Sequence, residues 1–258
     1  MSNSIQCCFK RYEKKYLITR EQQSVLLGTM KQHMQADTYG EYTVCNIYYD
    51  TDDWKLIRTS IEKPVYKEKL RVRSYGVPAE NEMVFIELKK KYDGVVYKRR
   101  MTADAYYAKP FLCGSTADIN ETQIEKEIKW FQKTYHSKPK VFIAYERTAF
   151  AGISEPDLRI TFDTGIRWRD TDLDLCLGDY GQPVISPEKI LMEIKIPGTA
   201  PLWLSHILSE TGAFPTTFSK YGTCYRDHIM QNQIGQIVHS AIHTPSTKPL
   251  LREVLYSA

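Results

Sequence analysis

Apolar and polar side chains alternate with a period of two along much of this chain, and in a strand that alternation sends successive side chains to opposite faces. On this reading strands run over residues 9–18, 42–49, 66–75, 83–92, 95–102, 140–150, 158–167 and 190–196, about eight in all. Asp93-Gly94 joins two of them as a two-residue hairpin turn, because both residue types accept the positive φ that such a turn requires. Between the strands the period lengthens to that of a helix over residues 19–34, 103–113, 121–135, 201–211 and 220–233, with Thr19 placed to cap the first. The run Asp50-Thr51-Asp52-Asp53 caps one more short helix, closed by Pro64. No repeat, low-complexity tract or linker divides residues 1–232, which read as one domain, while 233–258, with Pro245 and Pro249, read as a tail.

The alternation sorts charge. In residues 66–75 one face carries Lys67, Lys69, Arg71 and Arg73 and the other Leu70 and Val72. The next strand sets Glu87 and Lys89 against Val84, Ile86 and Leu88, and the rows continue with Lys98 and Arg100, Arg147 beside Tyr145, Arg159 with Thr161 and Asp163, and Glu193 with Lys195. The first strand adds Arg11, Glu13 and Lys15. An open antiparallel sheet has a wet face of this kind, but a wet face usually mixes Ser, Thr, Gln and Glu, whereas this one is dense in closely repeated cations. Amphipathic helices need an apolar sheet face to cover, so closing the sheet would leave the charged rows inside. The expected fold is therefore α+β, a closed antiparallel β-barrel forming a tunnel, with helices packed outside. A charged interior needs water, ion pairs or an opposite charge. A chain of phosphates fits, since Arg offers a planar fork of donors and Lys a compact charge.

Composition narrows this without changing it. The formal net charge is only +4, from 35 basic and 31 acidic residues, so the chain lacks the overall bias of a nucleic-acid coat and any anion site must be local. The six cysteines show no CxxC spacing and residues 1–15 hold no apolar leader core, which points to reduced thiols in the cytoplasm. No apolar run approaches the roughly 20 residues of a spanning helix. The run Asp170-Thr171-Asp172-Leu173-Asp174 lacks the glycine and closing glutamate of a calcium loop, the six histidines show no HExxH spacing, and no glycine-rich phosphate loop is present. The four tryptophans read as packing residues, with Trp168 between Arg167 and Arg169 the one kept open as a base-stacking residue.

An ordered set of motifs carries a resemblance over nearly the whole chain. They are Arg11-Tyr12-Glu13-Lys14-Lys15-Tyr16, Ile47-Tyr48-Tyr49-Asp50-Thr51, Leu70-Arg71-Val72-Arg73, Ile86-Glu87-Leu88-Lys89 and Lys98-Arg99-Arg100. They continue as Tyr145-Glu146-Arg147-Thr148-Ala149-Phe150, Arg159-Ile160-Thr161-Phe162-Asp163-Thr164, Met192-Glu193-Ile194-Lys195 and Phe218-Ser219-Lys220-Tyr221. In these the chain resembles the polyphosphate polymerase domain of the vacuolar transporter chaperone (VTC) type, a branch of the triphosphate tunnel metalloenzymes. The resemblance implies phosphate grips at Lys15, Arg71, Arg73, Lys89, Lys98, Arg147, Arg159, Lys195 and Lys220, with Tyr145 and Ser219 as neutral donors. It implies Mn²⁺ or Mg²⁺ held chiefly by Glu193, with Glu87 and Glu13 as further carboxylates. Arg11 stands where the superfamily's usual Glu-x-Glu-x-Lys begins with Glu, which weighs against a two-metal triphosphatase.

The expected activity is metal-dependent transfer of the γ-phosphate of ATP to a growing polyphosphate chain, with a separate membrane-protein partner to receive product. Hydrolysis of tripolyphosphate or nucleoside triphosphates in the same tunnel, and noncatalytic binding of polyphosphate or inositol phosphates, are the alternatives. Phosphoryl transfer requires positioning and charge neutralisation more than a protein nucleophile, so the absence of an evident Ser, Cys or His nucleophile is no obstacle.

Overall fold

In the computed structural model, which describes residues 12–114 and 122–232, all eight alternating stretches form strands. They are β1 (Tyr12–Ile18), β2 (Met34–Asp50), β3 (Tyr66–Tyr75), β4 (Met83–Tyr92), β5 (Val95–Asp104), β6 (Lys138–Gly152), β7 (Arg159–Arg169) and β9 (Ile190–Ile196). Two-residue pieces add β8 (Gln182–Pro183) and β10 (Pro215–Thr216). The helices are α1 (Arg20–Met30), α2 (Lys55–Ile61), α3 (Ala105–Leu112), α4 (Gln123–Tyr135), α5 (Leu202–Glu210) and α6 (Lys220–Cys224), the last continued by a π-helical turn at Tyr225–Ile229. Residues 1–11, including Arg11, and the expected tail at 233–258 lie outside the described residues.

Local signals explain most boundaries. Thr19 caps α1 in a reciprocal box with Gln22, and Thr122 does the same for α4 with Glu125. Asp93 and Gly94 take φ of 43° and 82°, the two positive values that a type I′ turn asks for, and β4 and β5 pair from Tyr92↔Val95 to Met83↔Asp104. β2 is far longer than its alternating stretch, because Gly40 at φ 64° and an irregularity in pairing between Ala36 and Glu41 break the pattern without ending the strand. A second irregularity lies in β7 at Gly165, φ 55°, where the register against β6 slips between Ala144 and Glu146. The slip lets Asp163 before it and Trp168 after it face the same side.

The strands form one antiparallel sheet in the order β10-β1-β9-β7-β6-β2-β3-β4-β5, with β8 on β7. The expected closed barrel is not what the backbone makes. Among the described residues β5 and β10 are free edges, and no ladder joins them. The sheet is nonetheless strongly curled: Glu13 of β1 and Glu193 of β9 act electrostatically on Lys89 of β4, six places from β1 in the sheet. Twist accumulated over so many strands brings its two ends face to face.

Two apolar clusters cover the convex side. Leu70, Val72, Ile86, Leu88 and Phe142 pack with Phe111 of α3 and with Ile128 and Phe131 of α4. Ile18, Ile160, Phe162, Met192 and Ile194 pack with Leu26 and Met30 of α1 and Leu204 and Ile207 of α5. Each fully buried Leu, Ile or Phe contributes about 2 kcal/mol. The expectation that all helices lie outside holds for these four only. α2 and α6 belong to a third cluster with Tyr48, Val141, Ile143 and Leu191, which share the concave face, so the two helices plug part of the trough. No helix among the described residues is long and apolar enough to cross a membrane.

One buried carboxylate joins the plug to the sheet. Asp50, at the end of β2, is fully buried and accepts hydrogen bonds from the backbone N–H groups of Thr51 (2.8 Å), Leu56 (2.9 Å) and Ile57 (2.9 Å) and from the hydroxyl of Tyr221 on α6 (2.8 Å). Asp50→Ala leaves those donors buried without a partner and is expected to lower stability by about 2–4 kcal/mol, measured by urea unfolding.

Candidate active site

The concave face is built from cross-strand rows. On β3, β4 and β5 one row is Arg71, Glu87 and Arg100, and the next, nearer the β4–β5 turn, is Lys69, Lys89 and Lys98. On β7, β9 and β1 the facing rows are Arg159, Lys195 and Glu13, then Thr161, Glu193 and Lys15. Arg147 of β6 stands opposite Asp163.

Glu87 anchors the first wall. Its side chain is 1% exposed; Oε2 accepts from Arg71 Nε (2.7 Å) and Nη2 (2.6 Å), and Oε1 from Arg100 Nε (2.7 Å) and Lys98 Nζ (2.6 Å). Burial alone would raise its pKa, but Arg71, Arg73 and Lys98 hold it well below the usual carboxylate range. Arg73 is fixed separately, donating to Asn46 Oδ1 (2.8 Å) and to the Tyr145 hydroxyl (3.3 Å).

The second wall centres on Asp163 and Glu193. Asp163, fully buried, takes a bidentate grip from Arg147 (2.6 and 2.7 Å) and a 2.5 Å contact from Lys220 at the start of α6. Glu193 is held more loosely, 3.4 Å from Lys220, 3.5 Å from Lys15 and 3.8 Å from Arg147. Its pKa is lowered despite burial by Lys220, Lys15 and Arg147. Burial, which would lower Lys220, is overcome by Asp163 and Glu193, so that lysine stays charged.

Lys69 and Lys89 face each other across β3 and β4, and neither has an ion-pair partner among the described residues. Burial, followed by the fields of Lys67, Lys89, Lys15 and Arg71, pushes Lys69 from 10.5 down to about 7. Like charges placed directly opposite are destabilising, so this row lacks the counter-charge that the two walls supply for themselves.

The matching family model is the VTC domain, over residues 10–228. The chain belongs to the VTC domain family. Subunit 4 of the vacuolar transporter chaperone complex of Schizosaccharomyces pombe is 25% identical over 236 residues, covering 72% of this chain and 32% of that protein. The chain thus spans about a third of the length of that relative. Among solved structures, a Vibrio parahaemolyticus protein assigned as an adenylate cyclase is similar at TM-score 0.44 and 11% identity, over 84% of this chain and 98% of that one. A Hippeastrum adenylyl cyclase-type protein with a dominant triphosphatase activity is similar at TM-score 0.47 and 15% identity, over 83% and 94%.

Within this VTC domain the expected residues fall into three groups. Arg71, Arg73 and Lys98 gather on Glu87; Lys15, Arg147 and Lys220 gather on Glu193 and Asp163; Arg159 and Lys195 stand in one row with Glu13. Lys89 lies between the walls. Tyr145 sits centrally, its ring 4.3 Å from Lys220 Nζ and its hydroxyl accepting from Arg73, whereas the Ser219 hydroxyl accepts from Gly222 N–H and caps α6. The three expected metal carboxylates do not converge, and among the described residues no three acid, His or Cys side chains do. Glu87 has both oxygens taken by cations at 2.5–2.7 Å, so it is a strut of the wall. Glu193, with contacts no shorter than 3.4 Å, and Glu13, sharing Lys15 with it at 3.5 Å, keep oxygen lone pairs to offer. The Thr161 hydroxyl opposite Glu193 is buried without a partner. That donor set suits a hard divalent ion that takes its remaining ligands from phosphate and water. Asp163, Lys69 and Arg100 also belong to the site; alternation placed them on the charged face, but only the pairing across strands shows that Asp163 and Arg100 are ion-paired and that Lys69 faces another lysine.

Two outcomes follow. Glu87→Ala leaves Arg71, Lys98 and Arg100 repelling one another and is expected to cost about 3–5 kcal/mol in urea unfolding. Lys69 has a folded pKa below its unfolded one, so between about pH 7 and 10.5 the unfolded chain holds the extra proton and this group's contribution to stability rises with pH. An anion in the trough favours charged Lys69, so phosphate-chain affinity should fall as pH rises from 7 to 9, with proton uptake seen by calorimetry, and Lys69→Gln should flatten that dependence.

Proposed function

We propose that this VTC domain transfers the γ-phosphoryl group of ATP to the end of an inorganic polyphosphate chain. The observation that carries the reading is the Lys69–Lys89 pair, two cations facing each other across β3 and β4 between walls already balanced by their own carboxylates. A polyanion threading the trough supplies the missing charge. The curated relative, a subunit of a vacuolar transporter chaperone complex, supports the same reading, and we place this domain on the cytoplasmic side beside a membrane-protein partner that takes the product.

In this scheme a terminal oxygen of the phosphate chain attacks the γ-phosphorus, the bond to the bridging oxygen of ADP breaks, and the chain grows by one phosphate as ADP leaves. No side chain forms a bond to phosphorus. Arg71 and Arg147, oriented by Glu87 and Asp163, present their guanidinium groups to the phosphate oxygens, while Lys15 and Lys220 stand beside Glu193. Glu193, with Glu13 next to it, would hold Mg²⁺ or Mn²⁺, whose contribution when bound is to neutralise charge on the phosphate oxygens.

Purified protein given ATP and Mn²⁺ should yield long-chain polyphosphate on a gel. Free phosphate without polymer would make the protein a hydrolase, and tight binding with neither product a noncatalytic module; either result overturns the proposal. Glu193→Ala should abolish turnover while preserving the melting temperature. Arg71→Ala should weaken ATP and polyphosphate binding by about tenfold or more, as expected for loss of a charge-assisted fork.

A further inference from the structure

The β4–β5 turn ends in a cluster of exposed apolar side chains. Val65, Tyr66, Tyr92, Val95, Val96 and Tyr97 are 64%, 42%, 58%, 53%, 49% and 47% exposed. Pairing sets Tyr66 opposite Tyr92 and Tyr92 opposite Val95, with the two tyrosine rings 6.5 Å apart, and the backbone N–H of Asp93 donates to the carbonyl of Val65. Tyr66, Tyr92, Val95 and Tyr97 share the outer face of the hairpin and Val96 the inner one, so exposed apolar side chains flank the turn on both faces. Scattered exposed apolar residues need no explanation, but a cluster at a protruding turn does.

Cations surround the patch. Lys67 stands directly opposite Lys91, and Lys91 opposite Val96. Both lysines share the inner face with Val96, and exposed Lys63 precedes Pro64 and Val65 in the chain. Of the nearby acids, Glu68 is buried beneath Tyr135 and Glu127 is engaged by Lys90 and Arg99, which leaves Asp93 in the turn and Glu62 beside Lys63. Tyrosine and valine at a tip, ringed by lysine, match the chemistry of an anionic lipid interface. There tyrosine rings sit at headgroup depth and each lysine near the surface adds attraction.

We propose that the β4–β5 tip docks this domain on an anionic lipid bilayer, with the tyrosines and valines at headgroup level and Lys63, Lys67 and Lys91 against the acidic lipids. The proposal does not rest on the phosphotransferase reading: Lys67 and Lys91 continue the inner face beyond Lys69 and Lys89, but it uses neither Glu193 nor the paired cations of the two walls.

The test is sedimentation of the purified full chain with vesicles of phosphatidylcholine alone and with vesicles in which about one lipid in four is phosphatidylserine. The expected result is binding to the anionic vesicles only, weakened by salt. Tyr92→Asp with Val95→Asp should abolish it while leaving the melting temperature and tripolyphosphate affinity unchanged. Lys63→Gln with Lys91→Gln should reduce it about fivefold per lysine, and tests the proposal even if the aspartates disturb the hairpin. Absence of vesicle binding, equal binding to neutral vesicles, or binding indifferent to both double variants overturns the proposal. So does a dimer in light scattering that Val95→Asp dissolves, which would assign the tip to a second copy of this chain.

Discussion

Cations gathered on the inner side of a curled sheet cannot move apart, and the rest of this structure depends on how their repulsion is balanced. Two buried carboxylates do most of that work. Glu87 ties Arg71, Lys98 and Arg100 into one wall across β3, β4 and β5. Asp163 ties Arg147 of β6 and Lys220 of α6 to β7 in the other. Each carboxylate draws guanidinium or ammonium groups from separate elements to a single point, so the walls are set before any ligand arrives. What they leave unbalanced is the Lys69–Lys89 pair, the part of the face on which the proposed function rests.

Two glutamates on alternating basic strands therefore have opposite roles. Glu87 is gripped at short distances on both oxygens and has nothing left to offer. Glu193 is surrounded at longer range by three cations from β1, β6 and α6, and it faces an unpartnered threonine hydroxyl. The distinction is one of spacing rather than of charge, and it separates a residue that shapes the site from one able to take part in binding.

Much of this was legible in the sequence. Period-two alternation located the eight long strands, and the sorting of charge identified the face that carries the site, because a strand's geometry leaves side chains no third direction. The described residues among those quoted for the VTC resemblance lie on that face or next to it. What alternation could not show was which row meets which across the sheet: Glu87, expected as a further metal carboxylate, has Arg71 and Arg100 opposite it and both oxygens engaged by cations. Nor could it show that the Ser219 hydroxyl, expected as a phosphate donor, also accepts from Gly222 N–H and caps α6. The inward placement of α2 and α6 depends on Asp50 and Tyr221, 171 residues apart, a contact that no local pattern encodes. Closure, too, was inferred from the need to hide charge, and a curled sheet with part of its concave side plugged meets that need without a final ladder.

Among the described residues no ladder joins β5 to β10, and an open trough of this kind has a topological consequence. A cylinder closed all round admits a long polymer only by one of its ends, and a strand already grown could leave only by sliding its whole length. A trough whose two rims are not laced together by backbone hydrogen bonds admits a chain from the side at any point along it. Rim side chains such as Lys98 can swing aside far more cheaply than a hydrogen-bonded ladder can open.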